Sequence, residues 1–204
     1  MKPVIHNWIA GDIVGGNFAL DLVNTVSGWG YEPEDWVPDI ESFLVWARLS
    51  GLLDEGEKKQ VARLIEGSPA AAERVLASVK ELRFTLWSLI SCLQHRRPAK
   101  PGDLSVINEW VHRLALSEQV IARHNKIEVA IKRDISVLEL IGLRVTAAAL
   151  ALLKNPPAGR IKTCPGENCD WKFVDRSKNR SRRWCDMAVC GNLVKAREYR
   201  ARKG

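Results

Sequence analysis

CPGENCDWKFVDRSKNRSRRWCDMAVCGNLVKAREYRARKG, residues 164–204, is the stretch whose reading decides the architecture. Four of the five cysteines fall in it as two pairs, Cys164/Cys169 and Cys185/Cys190. Each pair encloses four residues, and fifteen residues separate the pairs. Two such pairs on tight turns offer the four soft ligands that zinc takes in a tetrahedron. Pro165 and Gly166 bend the first turn, and Gly191 follows the second. Disulfides are the competing use of paired cysteines, and they need an oxidising compartment. Met1-Lys2-Pro3 gives no sign of a secretory signal, because His6, Asn7 and Asp12 break the apolar run that would have to follow. The expectation is one Zn2+ held by four cysteines in a cytoplasmic chain. Four thiolates fill the coordination shell and leave no position for a water. The metal is therefore expected to be structural, and the chain is not expected to be an enzyme.

The residues around the pairs carry a resemblance. Trp171, Phe173, Asp175, Ser177 and Asn179 follow the first pair at alternate positions, and Arg182, Arg183, Trp184, Met187 and Asn192 surround the second. In this register they resemble the CGNR zinc finger of bacterial transcription regulators. The resemblance implies nucleic-acid binding by the finger. The family's name ends in arginine where this chain has Leu193, so if that arginine touches nucleic acid in relatives, one contact is lost here.

Charge singles out the same stretch. The chain carries 31 Lys+Arg against 24 Asp+Glu, a net of +7. Thirteen of the basic and five of the acidic residues lie from Arg160 onward, a net of +8 there. The remaining 18 basic and 19 acidic residues nearly cancel. A neutral body with a basic end points to a polyanion partner for the end alone. Arg176, Lys178, Arg180, Arg182 and Arg183 form a basic loop between the pairs. Lys195, Arg197, Arg200, Arg202 and Lys203 follow on a terminal helix. Arginine forks suit phosphate oxygens, and each neutralised phosphate releases counterions. With Asn192 these residues are the candidate nucleic-acid contacts; DNA is the expected partner and RNA the alternative. A finger that is purely structural, on a ligand-binding or interaction protein, is the rival from another class.

Upstream, the pattern is mainly helical with a small β-sheet, an α+β body over residues 1–154. Residues 155–160 are a proline- and glycine-rich linker and 161–204 the four-cysteine zinc finger. Residues 4–10 read as a short strand. Gly15-Gly16-Asn17 reads as a turn, and Phe18, Leu22 and Val26 fall at helical spacing after it. Gly-Gly-x-x-Ala-Leu-Asp-x-x-Asn-Thr, from Gly15 to Thr25, also resembles the opening of the ABATE-type stress-induced transcription regulator domain that precedes CGNR fingers. Residues 27–38 read as a loop. Asp39 caps a helix to Leu49, and Asp54 with Glu57 makes a capping box for another to Ile65. Pro69 starts the longest helix, of about 27 residues, with Val75, Leu76, Val79, Leu82, Leu86, Leu89, Ile90 and Leu93 as its apolar stripe. Asp103 caps a further helix to Leu116. Residues 120–123 and 127–131 flank His124-Asn125-Lys126 as a hairpin, and helix returns from Asp134 to Lys154. No apolar run reaches a membrane span of about 20 residues.

Within the body, Asp21, Asn24 and Thr25 are the best polar cluster. They either line a small-molecule effector pocket or bond nearby backbone as caps. Dimerisation is the other role open to the body. His6, His95, His112 and His124 are scattered and read as surface residues, and Cys92 as a buried apolar thiol. Trp171, Phe173 and Trp184 are expected to form the finger's core, since a module this small has little else besides its metal.

Overall fold

A computed structural model describes residues 1–154 and 159–203. Asn155 to Ala158, most of the expected linker, and Gly204 lie outside the described residues.

The architecture is a helical body with three small sheets, one of which belongs to the C-terminal finger. The chain opens with β1, Lys2–Pro3, then a single 3₁₀ turn at Ala10–Asp12 and α1, Phe18–Val23. Next come β2, Val26–Ser27, and β3, Glu34–Asp35. These strands form a sheet in the order β1-β3-β2, parallel between β1 and β3 and antiparallel between β2 and β3. The strand expected at 4–10 is thus only Lys2–Pro3. Beyond Val4, whose N–H still bonds Asp35 O, the chain turns away so that His6 stacks on Trp36 at 3.9 Å. A ring stack replaces the ladder there. Conversely, β3 lies in a stretch that reads as loop, because two-residue strands carry no alternation to detect.

The helices follow sequence chemistry closely. Helix α2, Ile40–Leu49, starts where Asp39 accepts from Ser42 N–H. Helix α3, Glu55–Gly67, starts with the Asp54/Glu57 capping box. Glu57 does more than cap: its carboxylate also receives the fork of Arg144 at 2.7 Å on both oxygens, tying α3 to the last helix of the body. That guanidinium and the Asp54 N–H, against a smaller opposing effect of burial, hold the Glu57 carboxyl below its usual range. Helix α4, Pro69–His95, has proline in its first turn and is the spine of the body. Helix α5, Pro101–Ser117, begins two residues before the expected cap. Its first turn again carries proline, and Asp103 instead accepts from Ser88 Oγ at 2.6 Å. Strands β4, Glu118–Arg123, and β5, Lys126–Ile131, form the expected hairpin. Helix α6, Val137–Lys154, starts three residues later than the pattern suggests.

Helix α4 packs on α1, α2, α3, α5 and α6, so a single core runs through the body. Leu76, Val79, Leu82, Leu86, Leu89 and Ile90 of its stripe are buried as expected, while Leu93 is exposed and Cys92 only half-buried at the helix end. One charge sits wholly inside. Arg83 of α4 donates to Thr25 Oγ1 at 2.9 Å and Asp35 Oδ1 at 2.8 Å, with Lys80 on the other Asp35 oxygen. Burial would raise the Asp35 carboxyl, but these two cations outweigh it and hold it low. No described helix is long and apolar enough to cross a membrane.

The finger comprises β6, Ile161–Thr163, paired antiparallel with β7, Lys172–Val174. A π turn at Met187–Gly191 runs into α7, Asn192–Ala201.

Candidate metal centre and nucleic-acid interface

The four cysteine sulfurs lie within 4.8 Å of one another. Cys169 and Cys185 are 3.6 Å apart and Cys185 and Cys190 3.5 Å. A tetrahedron with Zn–S bonds of about 2.3 Å has edges near 3.8 Å. A disulfide needs about 2.05 Å, so the spacing suits a shared metal and not a bridge. Local chemistry builds both knuckles. Gly166 N–H points at Cys164 Sγ at 3.4 Å, and a Cβ on Gly166 would stand 2.9 Å from Cys190 Sγ, so only glycine lets the first turn close over the second. Asp186 caps the second turn by accepting from Ala188 and Val189 N–H at 2.6 and 3.0 Å. The Cys169 thiol is pushed up by Cys164, Cys185 and Cys190. Four sulfurs this close cannot all ionise without a cation among them. The donor set is that of a closed, structural zinc site, and the four cysteines are its ligands.

The finger shares the body's core. Phe173 and Trp171 join Cys164 and Cys185 in a small core that Val14 and Trp36 of the body cover. The opposite face of β7 is buried as well. Val174 belongs to the helical core, and Lys172 is only 3% exposed. Burial, partly offset by Asp170, drops the Lys172 ammonium to about 8. It donates to Gln94 of α4 at 2.8 Å. Trp184 packs against this small core at its edge, half-buried, with Arg183 over its ring.

Asp21, Asn24 and Thr25 take part in this seating. Asn24 donates to Lys172 O at 2.8 Å and accepts from Lys172 N–H at 2.7 Å, acting as a strand partner for β7. Asp21 accepts from Gly15 N–H at 2.7 Å, and a Cβ on Gly15 would meet its carboxylate at 2.8 Å. The turn so fixed presents Gly15 O to Val174 N–H at 3.0 Å. Burial pushes the Asp21 carboxyl up to about 6, against bonds from Gly15 and Asn17 N–H. Thr25 Oγ1 donates to Leu22 O and accepts from Arg83. All three side chains are buried and bonded to the chain itself. A cavity does exist at the seam. It measures about 340 Å³ and is lined by His6, Asp12, Trp36, Trp171 and the knuckle residues around Cys169 and Cys190.

The basic residues divide into two sets. Lys162 Nζ bonds Asp175 Oδ2 at 2.6 Å and the carbonyls of Arg180 and Arg182 at 2.6 and 2.8 Å. Asp175 Oδ1 also receives Ser177 N–H and Oγ. Together these hold the inter-knuckle turn, with Arg180 in a left-handed conformation at φ 52°. Lys162, then Ser177, keep the Asp175 carboxyl well below the usual carboxylate range. Arg182 is likewise structural: it reaches Val14 O, Trp184 O and Cys185 O and lies over Phe173. Arg176 bonds Gly16 O, Arg160 bonds Asp175 O and Ser177 O, Arg197 pairs with Glu167, and Arg202 with Glu198. Asn192 donates to Ala188 O, and Arg200 bonds only Ala196 O of its own helix.

Lys178, Arg180, Arg183 and Lys195 are left presenting their charge outward, as is Lys203 beside the Tyr199 ring. A groove of about 460 Å³ runs between the loop and α7, lined by Ser181, Arg182, Arg183, Trp184, Met187, Lys195 and Glu198. Sequence reasoning missed Lys162 as a builder, because a lysine in a short strand looks the same whether it is buried on a carboxylate or free. Asp175 and Ser177 were visible as a motif without a role. The role is the turn.

Comparison with known families agrees at both ends. Residues 160–203 match the CGNR zinc finger. Residues 16–156 match the ABATE family, described as putative stress-induced transcription regulator. No curated protein matches the chain.

Proposed function

The chain belongs to the ABATE family, whose description is putative stress-induced transcription regulator, and from that premise we propose that it binds DNA through the loop and helix of its zinc finger. The observation that supports this most is the division of the cations. Eight basic side chains of the finger, Arg160, Lys162, Lys172, Arg176, Arg182, Arg197, Arg200 and Arg202, are engaged with protein acceptors. Lys178, Arg180, Arg183 and Lys195 stand instead on a turn and a helix fixed by those bonds and by the metal site. A pre-ordered cation loses less entropy on contact than one in a floppy tail, and a bound phosphate releases condensed counterions. The reading assigns the metal no chemistry beyond holding the fold. The body's part in regulation falls at the seam, where an effector in the 340 Å³ cavity would touch both β3 and the knuckles.

The test uses the full chain, because β7 is part of the body's core. Duplex DNA and RNA binding are measured against salt for the wild type, Arg183→Ala and Arg182→Ala. Arg183→Ala should lower the logarithmic salt slope by about 0.9 on duplex DNA while leaving zinc content and melting unchanged. Arg182→Ala should lower the melting temperature, because it leaves the carbonyls of Val14, Trp184 and Cys185 without their donor. Wild-type protein that binds neither nucleic acid in a salt-dependent manner would defeat the proposal, and tighter binding to RNA would transfer it to that partner.

A further inference from the structure

We propose that the cavity at the seam takes a small organic ammonium ion with an apolar body and one hydrogen-bond acceptor. The inference rests on the effector reading of that cavity and gives it a ligand class. At about 340 Å³ the cavity is within the range of small-molecule sites. Both parts of the chain build it. The body supplies His6, Asp12, Glu34 and Trp36, and the finger supplies Glu167, Trp171 and Asp186 beside the knuckle cysteines.

One wall is aromatic. His6 stacks on Trp36 with ring centroids 3.9 Å apart, and Trp36 meets Trp171 at 5.0 Å and 65°. Electron-rich indole faces attract an ammonium ion, most strongly where water is displaced. The rings also carry a polar demand that the chain leaves unmet. Trp171 is only 6% exposed, and neither its Nε1–H nor that of Trp36 has an acceptor among the described residues. Most buried polar groups in native folds are bonded, so an acceptor atom on the ligand, such as a hydroxyl oxygen, suits this wall.

The charge around the cavity has one sign. Asp12, Glu34, Glu167 and Asp186 line it, and among the described residues no lysine or arginine does. Three of these carboxylates have a basic neighbour: His6 beside Asp12 at 3.0 Å, Lys2 beside Glu34 at 3.7 Å, and Arg197 beside Glu167. The side chains of Lys2 and Arg197 are 73% and 55% exposed, where water and salt weaken such pairs. Asp186 uses its Oδ1 on the N–H groups of Ala188 and Val189 and pairs with no cation among the described residues. The metal site deepens the field, because four thiolates on one Zn2+ leave two negative charges. Even with His6, Lys2 and Arg197 each counted as a full positive charge, the cavity stays negative. An anion is therefore repelled, a neutral ligand gains only from the rings, and a cation gains from both. The turn Met187–Gly191 borders this cavity and the basic groove alike, with Val189 and Cys190 in the first and Met187 in the second. A ligand at the seam thus lies one turn from the proposed nucleic-acid contacts.

The test uses the full, zinc-loaded chain without nucleic acid, so its outcome is independent of DNA binding. Three probes share a phenol ring and differ in charge: tyramine as the cation, para-ethylphenol as the neutral form and para-hydroxyphenylpropionate as the anion. Titration calorimetry should give tyramine a dissociation constant on the order of 100 μM. That is about tenfold tighter than para-ethylphenol, with no measurable binding of the anion. In NMR spectra tyramine should shift the indole N–H signals of Trp36 and Trp171 and leave that of Trp110, which packs against Gly142 of α6, in place. Glu34→Gln should weaken tyramine by about fivefold to tenfold and leave para-ethylphenol unchanged. Asp186→Asn keeps the capping oxygen and should do the same, with zinc content unchanged. Equal or tighter binding of the phenol or the propionate overturns the ammonium assignment and leaves the seam to another ligand class. No binding of any probe up to about 10 mM overturns the effector reading with it. Tyramine binding that shifts neither indole, or that survives both substitutions undiminished, lies elsewhere and overturns the proposal too.

Discussion

The hairpin β4–β5 has six rungs and leaves Val120, Ile127 and Val129 in solvent, whereas β6–β7 has three and buries even Lys172. By length and by its β-branched residues the first looks the better candidate for a core. The second wins because something docks on each of its faces. The zinc knuckles close over Trp171 and Phe173, and the helical body closes over Lys172 and Val174. A strand's burial is therefore set by its neighbours as much as by its alternation. In β7 the neighbours are fixed within the chain. In β5 the face carrying Ile127 and Val129 has no such neighbour among the described residues.

The harshest way to probe this contrast is to remove the metal. Cys185→Ser should abolish zinc binding and collapse the finger. Because Val174 and Ile161 pack on the helical core, the loss should also destabilise the body, by about 3 kcal/mol or more. Zinc analysis with a far-UV melt checks this. A helical transition at the wild-type temperature in the zinc-free variant would mean that the body stands alone.

A milder break targets the clasp. Asn24→Ala leaves the Lys172 N–H and C=O without their buried partner. Each unsatisfied group costs about 1–3 kcal/mol, so the expected loss for the two is about 2–6 kcal/mol. Zinc should stay bound, which separates undocking from unfolding of the finger. A change within about 0.5 kcal/mol, the range of an ordinary surface substitution, would show that water replaces the clasp at no cost.

The smallest effect is one of pH. Lys172 has a folded value near 8 against the usual 10.5. Between these values the unfolded chain binds the proton and the folded chain does not, so stability rises with pH across that window. The slope from this group is at most about 1.4 kcal/mol per pH unit. Lys172→Met should flatten it and be the more stable protein below pH 8. Parallel denaturation curves for both proteins from pH 7 to 10.5 would show instead that Gln94 and solvent keep the ammonium charged.

Several features were legible without any structure. Two cysteine pairs, with Pro165 and Gly166 to bend the first turn and Gly191 just past the second, specify a metal site from local spacing alone. Asp39, Asp54, Glu57 and Pro69 mark helix starts because a cap bonds within four residues of itself. The stripe of α4 marks the spine because 3.6-residue periodicity is also local. What the sequence could not decide was which polar and charged groups face each other across the fold. Asn24 is 148 residues from Lys172 along the chain, and Arg144 lies 87 from Glu57. The net charge of the finger likewise does not tell an Arg182 bound to three carbonyls from an Arg183 on the surface. A hydrogen bond depends on two atoms meeting, and only the tertiary structure determines which distant residues meet.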